Sequence, residues 1–401
     1  MYKTFCIAAL LGAVAIAKKD RKKKDKTARF VNWASKQNKH YKSVGEYNMR
    51  LYFFEENSDL VDELNERFND RGVTFADNQF SDMSKDEQIA ATGISSKPQG
   101  RNLDAESQVP RVGADEGRML QADTPIDWFA SGKMGPVKNQ GGCGSCWAFA
   151  GTSTLEAMIA IRDDTTPIRL SEQQGVDCDP ISGGCNGGWM DWYWEYVKNA
   201  GALQYDGYPT DYNAVDQKCQ NASGEGPREY PTSYGEYNPS SYSLNTVLNK
   251  LTEGPIAVAV DADNCWMYYS GGLITRDMGC REGLNHAVVL GKYTPAEGGS
   301  TTSEEICELM CIRPTGRGKR KACNNPDYPV AQRNRRNRIR SCCAEEETCR
   351  TEETTTGGTP AFWTIQNSWG TRWGEGGFMR IEADDGVGTS GINRYMQYVS
   401  V

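Results

Sequence analysis

Residues 140–149 read Gln-Gly-Gly-Cys-Gly-Ser-Cys-Trp-Ala-Phe, which sets Cys146 directly before a tryptophan at the head of an apolar run. Cys146 is a candidate nucleophile. A thiol attacks well only as the thiolate, and a helix starting at Ser145 or Cys146 would favour that anion with its positive end, the more so beside a histidine. The chain has only two histidines, His40 and His286. Acyl transfer by a thiol also needs a base that becomes imidazolium, a group that orients this base, and donors for the oxyanion.

The remaining chain must supply elements that hold such groups. At 401 residues, with 38% hydrophobic and 24% charged residues, it is ordinary globular material large enough for two folded parts. The first 17 residues, with apolar Phe5 to Ala17 before a lysine run, read as a secretory signal, which places the protein in the secretory pathway, lysosomal, vacuolar or extracellular. That core is too short to span a bilayer, and no later segment reaches about 20 apolar residues, so no membrane span is expected. Of 14 cysteines, Cys6 leaves with the signal and the other 13 lie at or after Cys143. Reserving Cys146 leaves 12, enough for six bridges in an oxidising compartment. The net charge of -8 hides basic runs at 18–26 and 317–340, read as solvated charge rather than a nucleic-acid surface. Asn221-Ala222-Ser223 fits a glycosylation acceptor, with Asn221 the candidate.

From Thr27 to about Leu64 the aromatics Phe30, Trp33, Tyr41, Tyr47 and Phe54 fall near helical spacing. Residues 92–124 lack periodicity and read as an exposed linker, the natural place for activation cleavage. Cys146 to Arg162 is apolar almost all round, predicting a buried central helix. Pro255–Val260 and Ala287–Tyr293 read as strands.

Two groups of motifs resemble the papain family of cysteine proteases. Glu46, Arg50, Phe54, Asn57, Val61 and Asn65 match the interrupted helix motif of its propeptides, followed by Asn78, Phe80 and Asp82, although Ala76 stands where glycine is usual. The Cys146 motif, Leu284-Asn285-His286-Ala287-Val288 and Gln366-Asn367-Ser368-Trp369-Gly370 match the mature domain in chain order. The resemblance implies an α+β, two-lobed fold: a helical left lobe, a β-barrel-like right lobe and a cleft between them, preceded by a helical propeptide. The expected organisation is signal 1–17, inhibitory propeptide 18–91, activation linker 92–124 and peptidase domain 125–401 from Pro125-Ile126-Asp127-Trp128, interrupted by 295–360.

His40 then falls in the propeptide, which leaves His286 as the base, 140 residues after Cys146. By resemblance Asn367 orients His286, Trp369 shields that bond, and Gln140 with the backbone N–H of Cys146 binds the oxyanion. Gly144, Gly187, Gly188, Trp189, Met190, Ala259, Leu284, Trp373 and Tyr395 are the implied substrate contacts, giving an apolar S2 pocket with no floor carboxylate and a preference for Leu, Val or Phe over Arg at P2. Cys143–Cys185 and Cys178–Cys219 follow the family. Ser390 stands where the family's partner of Cys280 would be, so Cys265 is the substitute.

Asn367 lies 81 residues after His286, well beyond the family spacing, and the excess maps to 295–360. Its six cysteines, 307, 311, 323, 342, 343 and 349, allow 15 pairings, and with few large apolar residues disulfides would have to hold it. No metal or other cofactor is expected. The leading reading is a monomeric endopeptidase zymogen acting on proteins or peptides, with its own propeptide as inhibitor. An exopeptidase and a non-catalytic binding relative are the alternatives; the first needs a capped cleft, and the second typically loses the thiol that Cys146 supplies.

Overall fold

The computed structural model describes residues 25–94, 123–220, 223–236, 244–298 and 358–401 with side chains, and 300–312, 330–333 and 339–356 as backbone strands. The expected signal and the acceptor Asn221 lie outside the described residues.

The aromatic spacing near the N-terminus resolves into two helices, α1 (25–36) and α2 (Val44–Phe68). Ser43 starts α2 by accepting the Glu46 backbone N–H. Phe30 packs on Trp33, Tyr41, Tyr47 and Phe54 with ring centroids 5.2–5.9 Å apart, a core of its own. The polar members of the helix motif fasten the chain from Phe75 to Glu87 onto α2. Asn57 Nδ2 donates to the carbonyls of Ser81 and Met83, Asn65 Nδ2 donates to the Phe75 carbonyl, and Arg50 holds Glu87 through two nitrogens at 2.7 and 2.8 Å. Glu87 closes a capping box with Ser84 at the head of α3 (Lys85–Ala90).

In the left lobe, α4 (Cys146–Arg162) is buried over most of its length. Beside it run α5 (Glu172–Cys178) and α6 (Met190–Ala200). Gly151 makes the α4–α6 contact close: a Cβ there would stand 2.7 Å from the Tyr193 ring, and Trp194 Nε1 donates to the Gly151 carbonyl at 3.0 Å. The right lobe is a sheet in the order Ser233–Glu236, Met396–Ser400, Ile256–Val260, His286–Thr294, Phe362–Gln366, Phe378–Glu382 and Leu273–Ile274, with Ile126–Asp127 pairing onto His286–Thr294. Ile256–Val260 is buried at every residue, as a strand covered on both faces must be.

Residues Ala296–Pro360 form a separate compact unit. Its backbone is a three-stranded antiparallel sheet in the order Ser300–Ile312, Ile339–Thr356, Val330–Arg333, with Cys307 opposite Cys349. Such long strands go beyond the sequence reading of this segment, which rests on its cysteines and gives no weight to its β-branched threonines.

Candidate active site

α4 begins at Cys146 itself, with Ser145 as its N-cap. The sulfur therefore sits at a helix head, and the Ala287 backbone N–H donates to it at 3.2 Å. That contact brings the strand starting at His286 against the thiol. His286 Nε2 lies 2.8 Å from Asn367 Oδ1, and the ring stacks on Trp369 at 4.5 Å between centroids. Nδ1 has no hydrogen-bond partner, which leaves it as the nitrogen open to a thiol. His40, by contrast, is exposed on the propeptide beside Asn38.

Both members of the pair are fully buried here. Burial pushes the Cys146 thiol up to about 12 despite the helix end, and lowers His286 to about 4 despite Asn367. The helix effect read from the sequence is thus outweighed while the cleft is covered. The cover is the segment after α3, expected as exposed linker from residue 92. Ala91, Thr92 and Gly93 are buried, so the exposed reading fails for the first residues of that span. Glycine and serine content is misleading there, since Gly93 serves close approach: a Cβ would fall 2.1 Å from the Gly144 carbonyl oxygen.

The covering segment lies against several loops of the site. Gln140 Nε2 donates to the Ala91 carbonyl at 2.9 Å, Gly188 N donates to the Gly93 carbonyl at 2.9 Å, and Gly93 N and Ile94 N both donate to the Asn285 carbonyl at 3.0 Å. Gly144 lies beneath Thr92, where a Cβ would meet its carbonyl oxygen at 2.6 Å. Gly187, at φ 109°, turns the chain into this edge. Ile94 packs on the cluster containing Trp189, Met190, Ala259 and Tyr395, with Leu284 at its margin. Tyr395 meets Trp189 edge-on at 4.4 Å, and its hydroxyl donates to the buried Asp191 carboxylate at 3.5 Å.

Trp373 is completely buried in the right lobe, its Nε1 donating to the Trp266 carbonyl at 3.0 Å and its ring against Trp266, Tyr269 and Trp369, so it backs Trp369. Sequence reading misses Ser368. Its hydroxyl donates to Gln140 Oε1 at 2.6 Å and fixes which way that amide points. The disulfides are Cys143–Cys185, Cys178–Cys219 and Cys265–Cys280, with Cys146 the free thiol among the described residues. Ser390 accepts from Trp266 Nε1 at 2.8 Å.

Deeper in the left lobe, Lys138 lies between two carboxylates, 2.7 Å from Glu156 and 2.5 Å from Glu172, all three buried. Burial and the second carboxylate push Glu156 up to about 7 even though Lys138 opposes the shift.

Comparison with known proteins places these features in a lineage. A family model described as papain family cysteine protease matches residues 122–302 and 348–400, and one described as cathepsin propeptide inhibitor domain (I29) matches 30–88. Ananain from Ananas comosus is 30% identical over 359 residues, covering 88% of this chain and 81% of its own. A recombinant stem bromelain precursor superposes with a TM-score of 0.67 at 26% identity, covering 94% of this chain and 99% of its own. Digestive procathepsin L 3 of Tenebrio molitor larval midgut has the same fold, with a TM-score of 0.65 at 24% identity over 94% of this chain and 99% of its own.

Proposed function

From the premise that the chain belongs to the papain family of cysteine proteases and carries the cathepsin propeptide inhibitor domain, we propose that it is the zymogen of a thiol endopeptidase of the secretory pathway. The observation that carries this reading is the convergence of Cys146, His286 and Asn367 beneath the extended segment of residues 91–94.

Once that segment leaves, water and substrate enter and the penalty on charge falls. The thiol proton passes to His286 Nδ1, and the thiolate attacks the scissile carbonyl. Gln140 Nε2 and the Cys146 N–H, the first occupied by Ala91 in the zymogen, take up the oxyanion. His286 then protonates the leaving amine, and water deprotonated by the same ring hydrolyses the thioester. Asn367 Oδ1 holds the ring through Nε2–H, and Trp369 covers that bond. The wall of Trp189, Met190, Ala259 and Leu284 favours Leu, Val or Phe at P2, and the Asp191 carboxylate is engaged by Tyr395. Residues 18–91, 92–124 and 125–401 serve as propeptide, activation segment and peptidase domain.

An epoxide thiol trap applied after acid activation should label Cys146 alone, and Cys146→Ala should abolish hydrolysis of a blocked internal peptide. Hydrolysis of unblocked dipeptide ends without blocked substrates would identify an exopeptidase. Labelling elsewhere with Cys146 untouched would overturn the assignment.

A further inference from the structure

The loop from Gln140 to Cys146 must hold two oxyanion donors at fixed positions, yet it contains Gly141, Gly142 and Gly144, residues that resist bending least. Its backbone is tied by Gln140 N donating to the Ser368 carbonyl at 2.8 Å and Gly144 N to the Cys185 carbonyl at 3.0 Å. The Cys143–Cys185 disulfide pins its middle, and Ser368 holds the Gln140 amide. A further tie is Tyr212. Its hydroxyl donates to the Gln140 backbone carbonyl at 2.6 Å and bonds Ser145 Oγ at 2.7 Å, so one side chain joins the residue bearing one donor to the residue preceding the other.

We infer that Tyr212 is a positioning residue for the oxyanion-binding loop, acting through Gln140 and Ser145 on where the two donors point. The inference rests on the thiol-protease reading above. Tyr212 meets Phe149 of α4 edge-on at 4.7 Å, but the pair also forms a wall of a cavity of about 300 Å³ lined by Lys138, Asn139 and Tyr205. With open space beside the ring, packing alone does not fix it, and the two hydroxyl bonds do. Burial raises the phenol above its ordinary range, so the proton that serves the Gln140 carbonyl is retained. The oxyanion exists only in the transition state, so a displaced donor lowers kcat and leaves KM nearly unchanged.

The test is a double-mutant cycle on the acid-activated enzyme with a blocked fluorogenic dipeptide carrying Leu at P2, kcat being normalised to sites counted by an epoxide thiol trap. Tyr212→Phe keeps the ring and removes only the hydroxyl. It should lower kcat about tenfold, with KM within about twofold, in the range a misplaced oxyanion donor costs. In a Gln140→Ala background, where only the Cys146 N–H remains to be displaced, the same substitution should cost about threefold or less, because residues acting on one site are non-additive. Unchanged kcat, a loss confined to KM, or equal losses in both backgrounds would overturn the inference. A wild-type chain that the trap labels at no site would instead count against the thiol-protease reading.

Discussion

Two carboxylate clusters, one where α2 meets α3 in the propeptide and one buried in the left lobe, set acids against basic side chains in different proportions. Where α2 meets α3, Asp82 and Glu87 each have a cation: Asp82 accepts from Lys39 at 2.7 Å and from the Tyr41 hydroxyl, while Glu87 takes both nitrogens of Arg50. In the left lobe Glu156 and Glu172 share Lys138. The difference decides the sign of the response to acid. Arg50 holds Glu87 at about 2, below its unfolded value near 4.5, so that contact stabilises the folded propeptide above pH 4.5 and is lost as pH falls toward 2. Glu156 is raised to about 7, so its contribution is fully present below pH 4.5 and is lost as pH rises toward 7. At these two contacts acid weakens the Arg50–Glu87 tie of the propeptide and spares the Glu156 cluster of the left lobe.

The largest expected effect removes the left-lobe half of this contrast. Glu156 faces Lys138, the Leu170 backbone N–H that donates at 2.7 Å and, across Lys138, Glu172. Arg169 lies 4.0 Å from Glu172 at the margin. Glu156→Gln keeps an oxygen for Lys138 and Leu170 but cannot ionise. Thermal melts of the thiol-blocked mature enzyme should show wild-type stability falling as pH rises above 4.5, and the variant nearly flat over the same range. Parallel profiles would show that Glu156 releases its proton on both sides of unfolding alike.

The propeptide half should respond more weakly, because Glu87 is partly exposed. Arg50→Ala removes the paired contact to Glu87 and the bond to the Asp82 carbonyl at 3.0 Å, which together join α2 to the capping box of α3. The separate propeptide should inhibit the mature enzyme at least about tenfold less tightly, as expected for loss of hydrogen bonds to a charged group worth about 1.5–3 kcal/mol. The gap between variant and wild type should shrink as pH drops below 4.5. A gap that stays constant in acid would place the loss in packing instead of in the ion pair.

How far the sequence discloses such a contrast depends on whether the residues sit in a local pattern. Cys146, His286 and Asn367 stand inside short motifs, and α4 is apolar all round, so both a candidate triad and its central helix are readable. Lys138, Glu156 and Glu172 come from three separate segments, and only the fold shows that one lysine serves two acids. Tyr212 and Ser368 escape a sequence reading for a similar reason: each acts through one hydroxyl on a loop far away in sequence. Thr92–Ile94 mislead because composition reports a chain's tendency to be a loop, and a loop laid in a cleft has the same composition as one in water. Trp369 and Trp373 lie four residues apart, and only the fold shows that the indole of Trp369 faces His286 while that of Trp373 is turned to Trp266.

The smallest effect is expected from the unit that belongs to neither region, Ala296–Pro360. The strand His286–Thr294 pairs antiparallel with Phe362–Gln366, and Thr294 stands directly opposite Phe362, so the chain leaves and re-enters the right-lobe sheet at neighbouring positions. A connection between adjacent antiparallel strands needs only a short turn, and lengthening it costs little loop entropy. The register that carries His286 and Asn367 is set by Tyr293 opposite Trp363 and by Val289 opposite Gln366, all outside the unit. Replacing residues 296–360 with a short glycine-serine turn should therefore leave kcat/KM on small peptides within about tenfold, or about 1.4 kcal/mol, and leave the pH responses of Glu156 and Glu87 unchanged. A folded deletion variant that still labels at Cys146 but no longer hydrolyses peptides would show that the unit takes part in holding His286 against Asn367, and the comparison of propeptide with left lobe would need a third member.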